Sequence, residues 1–404
     1  MGAALALDNV GTGLYLPVAA LFLIQIRNLS VADAGIVLGV GTAVGLAVPA
    51  LAGVLVDRVG ARYVLSVGQA LQAGAMAGYL ALPGWGGALV ASAVYAAGTQ
   101  FFYGSLFALL SGLKKSQGSL DKSFAAMDML RAAAFGGGAL LGAGFLAFGG
   151  TSTGWLLVGN MILSASAALM ILAVPIPGAN TDARSTAGTQ VFRDRPFMGL
   201  ILLCFLVSVI GDFFPLAFPV VAVEQLSAPT WLPSLCLAIL TITGSTLTLS
   251  AVHLTRRRSR AFAVALGLGV LIGWVGLSVT AYFVSSDYVI PLLLTSTLVF
   301  AAGSVLVGTR LHAAARDAAP SQSVGRYLAA FQYAFSLAGL TAPLLLAAFD
   351  IGYLLPWSLL ALAAIGALGL LRPLGRVLPP GVLDADVRGA QRALSDRTAK
   401  EETQ

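Results

Sequence analysis

Gly53-Val54-Leu55-Val56-Asp57-Arg58-Val59-Gly60-Ala61-Arg62 is a charged turn set between two apolar runs, each long enough to cross a bilayer. A span needs about 20 apolar residues, so this stretch reads as the short reversal between two antiparallel membrane helices. Its residues suit that task. Gly53 lets two helices approach closely, and Gly60 permits a tight reversal with positive φ. Asp57, at a helix terminus, can accept from backbone N–H groups or pair with a nearby basic side chain.

The rest of the chain agrees. Of its 404 residues 58% are hydrophobic and only 10% charged, against about 25% charged in soluble domains. Apolar runs fall near 3–24, 34–56, 63–82, 87–111, 123–147 and 155–175, then near 197–222, 231–253, 262–283, 288–309, 325–348 and 354–371. The first run has no basic flank before it and no small-residue cleavage site after it, so it is expected to be a retained span, with the usual short leader missing. Twelve all-α spans are expected.

Basic residues are retained on the cytoplasmic side of short loops. With the Asp57 turn inside, 21 of the 23 Lys and Arg residues fall on cytoplasmic segments; only Arg27 lies on an outer loop and only Arg131 within a span. Both termini are therefore expected in the cytoplasm. The net charge of +6 follows from topology and from anionic headgroups, and its dispersal over six segments argues against nucleic-acid binding. Cys204 and Cys236 lie in apolar spans as small core residues, and His253 and His312 form no metal-ligand or Ser/His/Asp arrangement. No enzyme, metal or cofactor is expected.

The polar, Gly-, Ser-, Thr- and Pro-rich segment 177–196 divides the chain. The expected organisation is a six-helix bundle over 1–176, a cytoplasmic linker over 177–196, a second six-helix bundle over 197–372 and a charged cytoplasmic tail over 373–404. The halves read as repeats, because Gly53–Arg62 aligns without a gap on Ala251–Arg260. In that copy Thr255 replaces Asp57 and Arg258 replaces Gly60, while Arg256 and Arg260 keep the charges of Arg58 and Arg62.

The pattern of the opening stretch, glycine, three mostly apolar residues, aspartate, arginine, any residue, glycine, any residue, then a basic residue, resembles the loop between spans two and three of the major facilitator superfamily. Every position matches. The resemblance implies a fold of two pseudo-symmetric six-helix bundles with a midplane site between them, and a secondary transporter working by alternating access. It further implies a gating role for Gly53, Asp57, Arg58, Gly60 and Arg62, which would hold the outward-open state by bridging the halves on the cytoplasmic side. Because the second copy lacks the acid, that lock is expected to be asymmetric.

Ionisable residues inside spans cost on the order of 3 kcal/mol at the bilayer centre unless paired or wetted. Asp212, in Gly211-Asp212-Phe213-Phe214-Pro215, has no basic residue within helical reach, and Asp8 lies in the first span. Aligning Pro17 with Pro219 sets Asp8 within two residues of Asp212, as pseudo-symmetric acids flanking the cavity; each is a candidate for proton coupling or substrate contact. Asp128 and Arg131, three apart on one face, read as an ion pair or as switchable charges at the cytoplasmic mouth. Asn9, Tyr15, Tyr95, Gln100, Tyr103, Phe213, Phe214, Phe331, Gln332 and Tyr333 lie in spans that line the cavity of the superfamily. Together with Phe101 and Phe102 they favour an amphipathic or aromatic substrate over a sugar.

The fourth span lacks the arginine that drug exporters of this superfamily carry before a glycine, since Ala93-Val94-Tyr95 precedes Gly98. The fifth keeps small-residue spacing at Gly138-Ala139-Leu140-Leu141-Gly142-Ala143-Gly144 without the glycine-proline step, and close helix packing accounts for those glycines. The expected function is proton-coupled efflux of amphipathic drugs or natural products, by a monomer whose partners are substrate, protons and lipid. An uptake carrier or uniporter for a small nutrient is the alternative, and a non-transporting receptor a remote one. Four Lys against 19 Arg, with abundant Ala and Gly, suggests a GC-rich bacterial genome and the inner membrane.

Overall fold

The computed structural model describes residues 2–46, 48–112, 117–150, 152–173, 191, 193–255, 258–320, 324–379 and 381–383. Among them there is no β-strand. The first half holds α1 (Gly2–Tyr15), α2 (Val31–Gly45), α3 (Val48–Val59), α4 (Ala61–Ala81), α5 (Gly84–Gly112), α6 (Gln117–Ala147) and α7 (Gly154–Ala173). The second holds α8 (Arg195–Val220), α9 (Leu232–Thr255), α10 (Arg260–Thr280), α11 (Ser286–Ala318), α12 (Val324–Ala347) and α13 (Leu355–Val377). With α2 and α3 as one broken crossing, each expected span has its helix.

Eight of these helical stretches are long and apolar enough to cross a membrane by length and composition alone. α4 is not one of them, because Arg62, Gln69 and Gln72 interrupt its apolar pattern. Its two amides are fully buried, so they face protein and not lipid. Several helix starts are capped by side chains. Ser30 Oγ accepts from Asp33 N at 3.0 Å, Asp194 Oδ1 from Phe197 N at 3.1 Å, and Ser259 Oγ from Phe262 N at 3.0 Å, each satisfying an N–H that the helix leaves unpaired.

α1 does not end at Tyr15. Its path continues through a 3₁₀ turn at Leu16–Val18, Ala19–Leu21 and a π turn at Phe22–Ile26. α8 ends on a matching π turn at Val221–Gln225. Both close identically: Leu29 N donates to Leu23 O at 3.1 Å and Ala228 N to Ala222 O at 2.8 Å. Each then reverses through a non-glycine residue of positive φ, Asn28 at 54° and Ser227 at 55°. The two ends are one motif written twice, and it fixes the register of the repeat at this face as Gln25 on Glu224.

That register, carried back along the helices, sets Asp212 opposite Gly13. The proline alignment, which brings Asp212 within two residues of Asp8, is thereby corrected: Pro17 sits in the 3₁₀ turn and Pro219 inside a continuous helix, so they are not structural equivalents.

Within the first half α4 packs on α5 and α7, and α1 on α6 and α7; within the second α10 packs on α11, and α8 on α12 and α13. Across the halves, α2 meets α12 and α6 meets α9. These crossings are close. A Cβ built on Gly35 would sit 2.6 Å from Pro343 O. Within the first half, one built on Gly138 would lie 2.9 Å from the Val10 Cα, which accounts for that glycine by packing alone.

The contacts between halves gather on the face bearing Asn28. Gln25 Nε2 donates to Glu224 Oε1 at 2.8 Å, and Ala32 N to Asp350 Oδ2 at 3.3 Å. One buried cluster runs through both halves and, in the second, on to the Gly60 side at Phe197, Tyr327 and Leu374, whereas another, from Ala4 and Leu5 through Val56, Leu65 and Phe102 to Ile171, is confined to the first half toward the Gly60 face. The described contacts thus seal the Asn28 face.

Candidate functional site

A cavity of about 310 Å³ lies between the halves beneath that seal. The first half contributes Tyr15, Thr42, Tyr79, Ser92 and Tyr95; the second contributes Asp212, Pro215, Leu216, Gly339 and Pro343. The tyrosines form one group, with Tyr15 ring centroids 5.0 Å from Tyr95 and 6.1 Å from Tyr79. Asp212 projects from the middle of α8 close to Gly339, where an added Cβ would lie 4.0 Å from Asp212 Oδ2. Directly behind it Phe213 and Phe214 are fully buried and fix the helix face that carries the carboxylate.

A second polar layer lies about two turns along α1 from Tyr15, toward the Gly60 face. Asp8 is only 2% exposed. Its Oδ1 accepts from Gln69 Nε2 at 2.6 Å and its Oδ2 from Asn9 Nδ2 at 3.3 Å, while Asn9 also donates to Leu5 O at 2.9 Å. Arg131 and Tyr103 complete the layer: the guanidinium carbon stands 4.8 Å from the Tyr103 ring centroid, and both side chains interact with Asp8. A carboxylate, two amides, a phenol and a guanidinium thus share one buried pocket of the first half, where an unmatched charge would be costly.

The structure therefore separates the two acids. Asp212 lines the cavity between the halves; Asp8 is enclosed within one of them. Arg131 faces Asp8, and the carboxylate of Asp128 lies outside the described side chains. Gln69, which no charge or aromatic pattern points to, is the direct partner of Asp8. Its only trace in the sequence is its spacing from Gln72, two amides three apart in an otherwise apolar helix.

The other candidates divide by environment. Tyr15 and Tyr95 line the cavity, and Gln332, seven residues before the cavity-lining Gly339, shares its stripe on α12 and is exposed. Gln100 is half-buried on α5 between Tyr95 and Tyr103. Phe213 and Phe214 are turned from the cavity into an aromatic core: Phe214 stacks on Phe218 at 4.5 Å and on Phe300 at 4.4 Å, and Phe213 packs edge-on against Trp357 at 5.5 Å. Phe331 is buried against His312 and Phe335, whereas Tyr333 is 55% exposed. Consecutive aromatics on a helix point about 100° apart, so pairs such as these cannot all share one surface.

At the opening stretch, Gly60 has φ of 90° and its N–H donates to Val56 O at 2.9 Å, ending α3 as α4 begins. Arg58 is exposed and Arg62 leans over the Tyr63 ring at 5.8 Å. Gly53 and Asp57 lie on α3, and the carboxylate of Asp57 lies outside the described side chains. In the second copy Arg260 forms an ion pair with Asp317 at 2.6 Å and donates to Val382 O at 3.1 Å.

Residues 1–343 match the sequence profile of the Major Facilitator Superfamily. The chain belongs to that superfamily. It is a multi-pass membrane transporter. Among solved structures it is similar to the nucleoside transporter NupG, with a TM-score of 0.70 and 14% identity, covering 93% of this chain and 97% of that one. It is similar to a D-xylose-proton symporter at a TM-score of 0.68 and 18% identity, covering 94% and 97%. The peptide transporter POT in complex with sulfate gives a TM-score of 0.69 at 14% identity over 93% and 94%. At these identities the likeness establishes the fold. No curated protein sequence matches the chain.

Proposed function

We propose that this superfamily member is a proton-coupled secondary transporter that carries a small amphipathic molecule through the cavity between its halves by alternating access. The observation that carries the reading is the placement of Asp212: a carboxylate among tyrosine, proline and leucine side chains, between two helix bundles, with no basic residue among the described cavity lining. A mostly apolar concavity with a few convergent polar groups is the usual form of a small-molecule site. In this reading Asp212 contacts substrate, and the enclosed layer of Asp8, Gln69, Tyr103 and Arg131 takes up and releases the coupled proton.

In this reading the Gly60 face, on whose side most of the basic residues fall, lies in the cytoplasm with both termini, and the membrane is a bacterial inner membrane. The seal at the Asn28 face then corresponds to a state facing the cytoplasm, in which Gly53, Asp57, Arg58, Gly60 and Arg62 would not be engaged as a gate. They would bridge the halves only when the molecule faces outward. The units of the motion are the bundles expected over 1–176 and 197–372, joined by 177–196, the second extended by α13 to Val377 and by the contact of Val382 with Arg260 beyond the expected start of the tail at 373, acting as a monomer.

Export of drugs or natural products is the direction proposed, supported by the aromatic, largely apolar lining. Uptake of a nutrient is the second reading, favoured by the hydroxyls of Thr42 and Ser92 in the lining and by the modest cavity volume; the similar structures include a D-xylose-proton symporter and a nucleoside transporter. Proteoliposomes with an imposed pH gradient separate these. Export by antiport drives labelled substrate against the proton flux, uptake by symport moves both together, and a chain that moves no solute under any gradient is not a coupled transporter.

A further inference from the structure

We propose that the cavity selects an organic monocation, an ammonium group carried on a small aromatic or aliphatic body. This rests on the transporter reading above and adds the charge of the substrate. Three features of the lining lead to it. Asp212 is the one charged side chain among the described lining residues, so the cavity attracts cations and repels anions in a medium where charges are weakly screened. Arg131 does not offset it, since that guanidinium is directed to Asp8 and to the Tyr103 ring in the separate layer of the first half. The first half's wall carries Tyr15, Tyr79 and Tyr95, and a tyrosine ring attracts an ammonium that lies over its face within about 6 Å of the centroid.

The remaining lining is apolar or bears single hydroxyls, with no amide among the described lining residues. A sugar would leave most of its hydroxyls without partners there, and each buried polar group left unpaired is costly. An ammonium needs fewer: one carboxylate for its charge, rings for its methyl or methylene surface, and Pro215 and Leu216 for its body. The carboxylate lies close to Gly339 of α12, and on the far side of α8 the Phe214 ring is packed between Phe218 and Phe300.

The test uses the full-length chain in nanodiscs, with labelled benzyltrimethylammonium as the probe and empty nanodiscs as the blank. Competitors are neopentylbenzene, which replaces the nitrogen by carbon, and the anion benzylsulfonate. Saturable binding is expected, with affinity lowered at least tenfold in Asp212→Asn, retained within threefold in Asp212→Glu, and lowered at least threefold in Tyr95→Leu but not in Tyr95→Phe. Neopentylbenzene and benzylsulfonate are expected to compete at least tenfold less well than the unlabelled cation.

Absence of saturable cation binding overturns the proposal. So does equal binding by Asp212→Asn, or equal competition by neopentylbenzene. Should Asp212→Asn fail to fold, the neutral competitor on the unmodified chain still decides. Uridine and D-xylose flux in proteoliposomes separates the two readings: a chain that carries either without binding the cation remains a transporter and loses only this inference.

Discussion

The two halves of the molecule share one topology and differ in what they bury. Every buried acid and amide among the described residues is in the first half: Asp8, Asn9, Gln69, Gln72 and Asn160. The second half buries Phe213, Phe214, Phe218, Trp274, Phe300 and Trp357 in a continuous aromatic cluster, with serine, threonine and cysteine side chains and the Tyr327 hydroxyl for polarity among the described residues. A polar interior in a membrane holds alternative hydrogen-bond arrangements at small energy differences, while a stacked one holds a single packing. A repeated fold therefore need not bury the same chemistry twice: one bundle encloses carboxylate and amide groups, the other packed aromatic rings.

The largest effect should come from breaking the rigid half. Trp274→Ala opens a void beside Phe300 and Trp357 and is expected to cost about 3–5 kcal/mol, read as a lowered unfolding temperature in detergent. Binding at Asp212 would weaken in the same variant as α8 loses its backing. If Trp274→Ala is as stable as the unmodified chain, the second half is not a rigid block.

In the polar half, Gln69→Leu removes the 2.6 Å donor to Asp8 and leaves a buried carboxylate short of a partner, at about 1–3 kcal/mol. Coupled flux should fall at least tenfold, with downhill exchange of substrate across the membrane retained. A variant that keeps its proton coupling removes Asp8 from the coupling role and sharpens attention on Asp212 instead.

The loops between spans extend the contrast. Gly60→Val forces a side chain into φ of 90° and ψ of 147° and should cost about 1–3 kcal/mol, with slowed transport. Arg258 occupies the matching place in the second half and stands over the Phe262 ring at 5.4 Å, a contact worth about 0.5–1 kcal/mol at an exposed site, so Arg258→Val should cost less than Gly60→Val. Equal effects at the two positions would mean the loops are interchangeable.

The smallest effect belongs to the seal. Gln25→Ala deletes an exposed hydrogen bond to Glu224 and should be worth less than about 1 kcal/mol, shifting the inward and outward populations by under about fivefold. Paired spin labels on the Asn28 face would read the shift as a change in the distance distribution. No change at all would place the seal in the α2–α12 and α6–α9 packing alone.

The fold was legible because the bilayer imposes it: apolar runs and dispersed basic residues mark crossings wherever the chain goes. Boundaries were less so. α11 runs to Ala318, well past the apolar run, because Arg310, His312, Arg316 and Asp317 continue the helix outside the apolar run, where His312 stacks on Phe335 at 5.2 Å. At the site, charge and aromaticity led to Asp8, Asp212, Tyr15 and Tyr95. They could not reveal that Gln69, 61 residues from Asp8, closes over it, nor that Arg131 turns toward Asp8. Those contacts depend on how α1, α4 and α6 are set against one another, which spacing along one helix does not encode.

Gln25 and Glu224 occupy the same place in the two copies of the helix-end motif, and they touch each other. Residues that correspond under a two-fold rotation meet only on its axis. A half-length ancestor that paired with a second copy of itself would therefore have brought one side chain against its own twin at this point, as any symmetric dimer must. Two glutamates there would repel, whereas an amide facing a carboxylate attracts. Within one chain the two positions are free to differ, and here they do: an amide donor meets a carboxylate acceptor where exact symmetry would allow only a group and its duplicate.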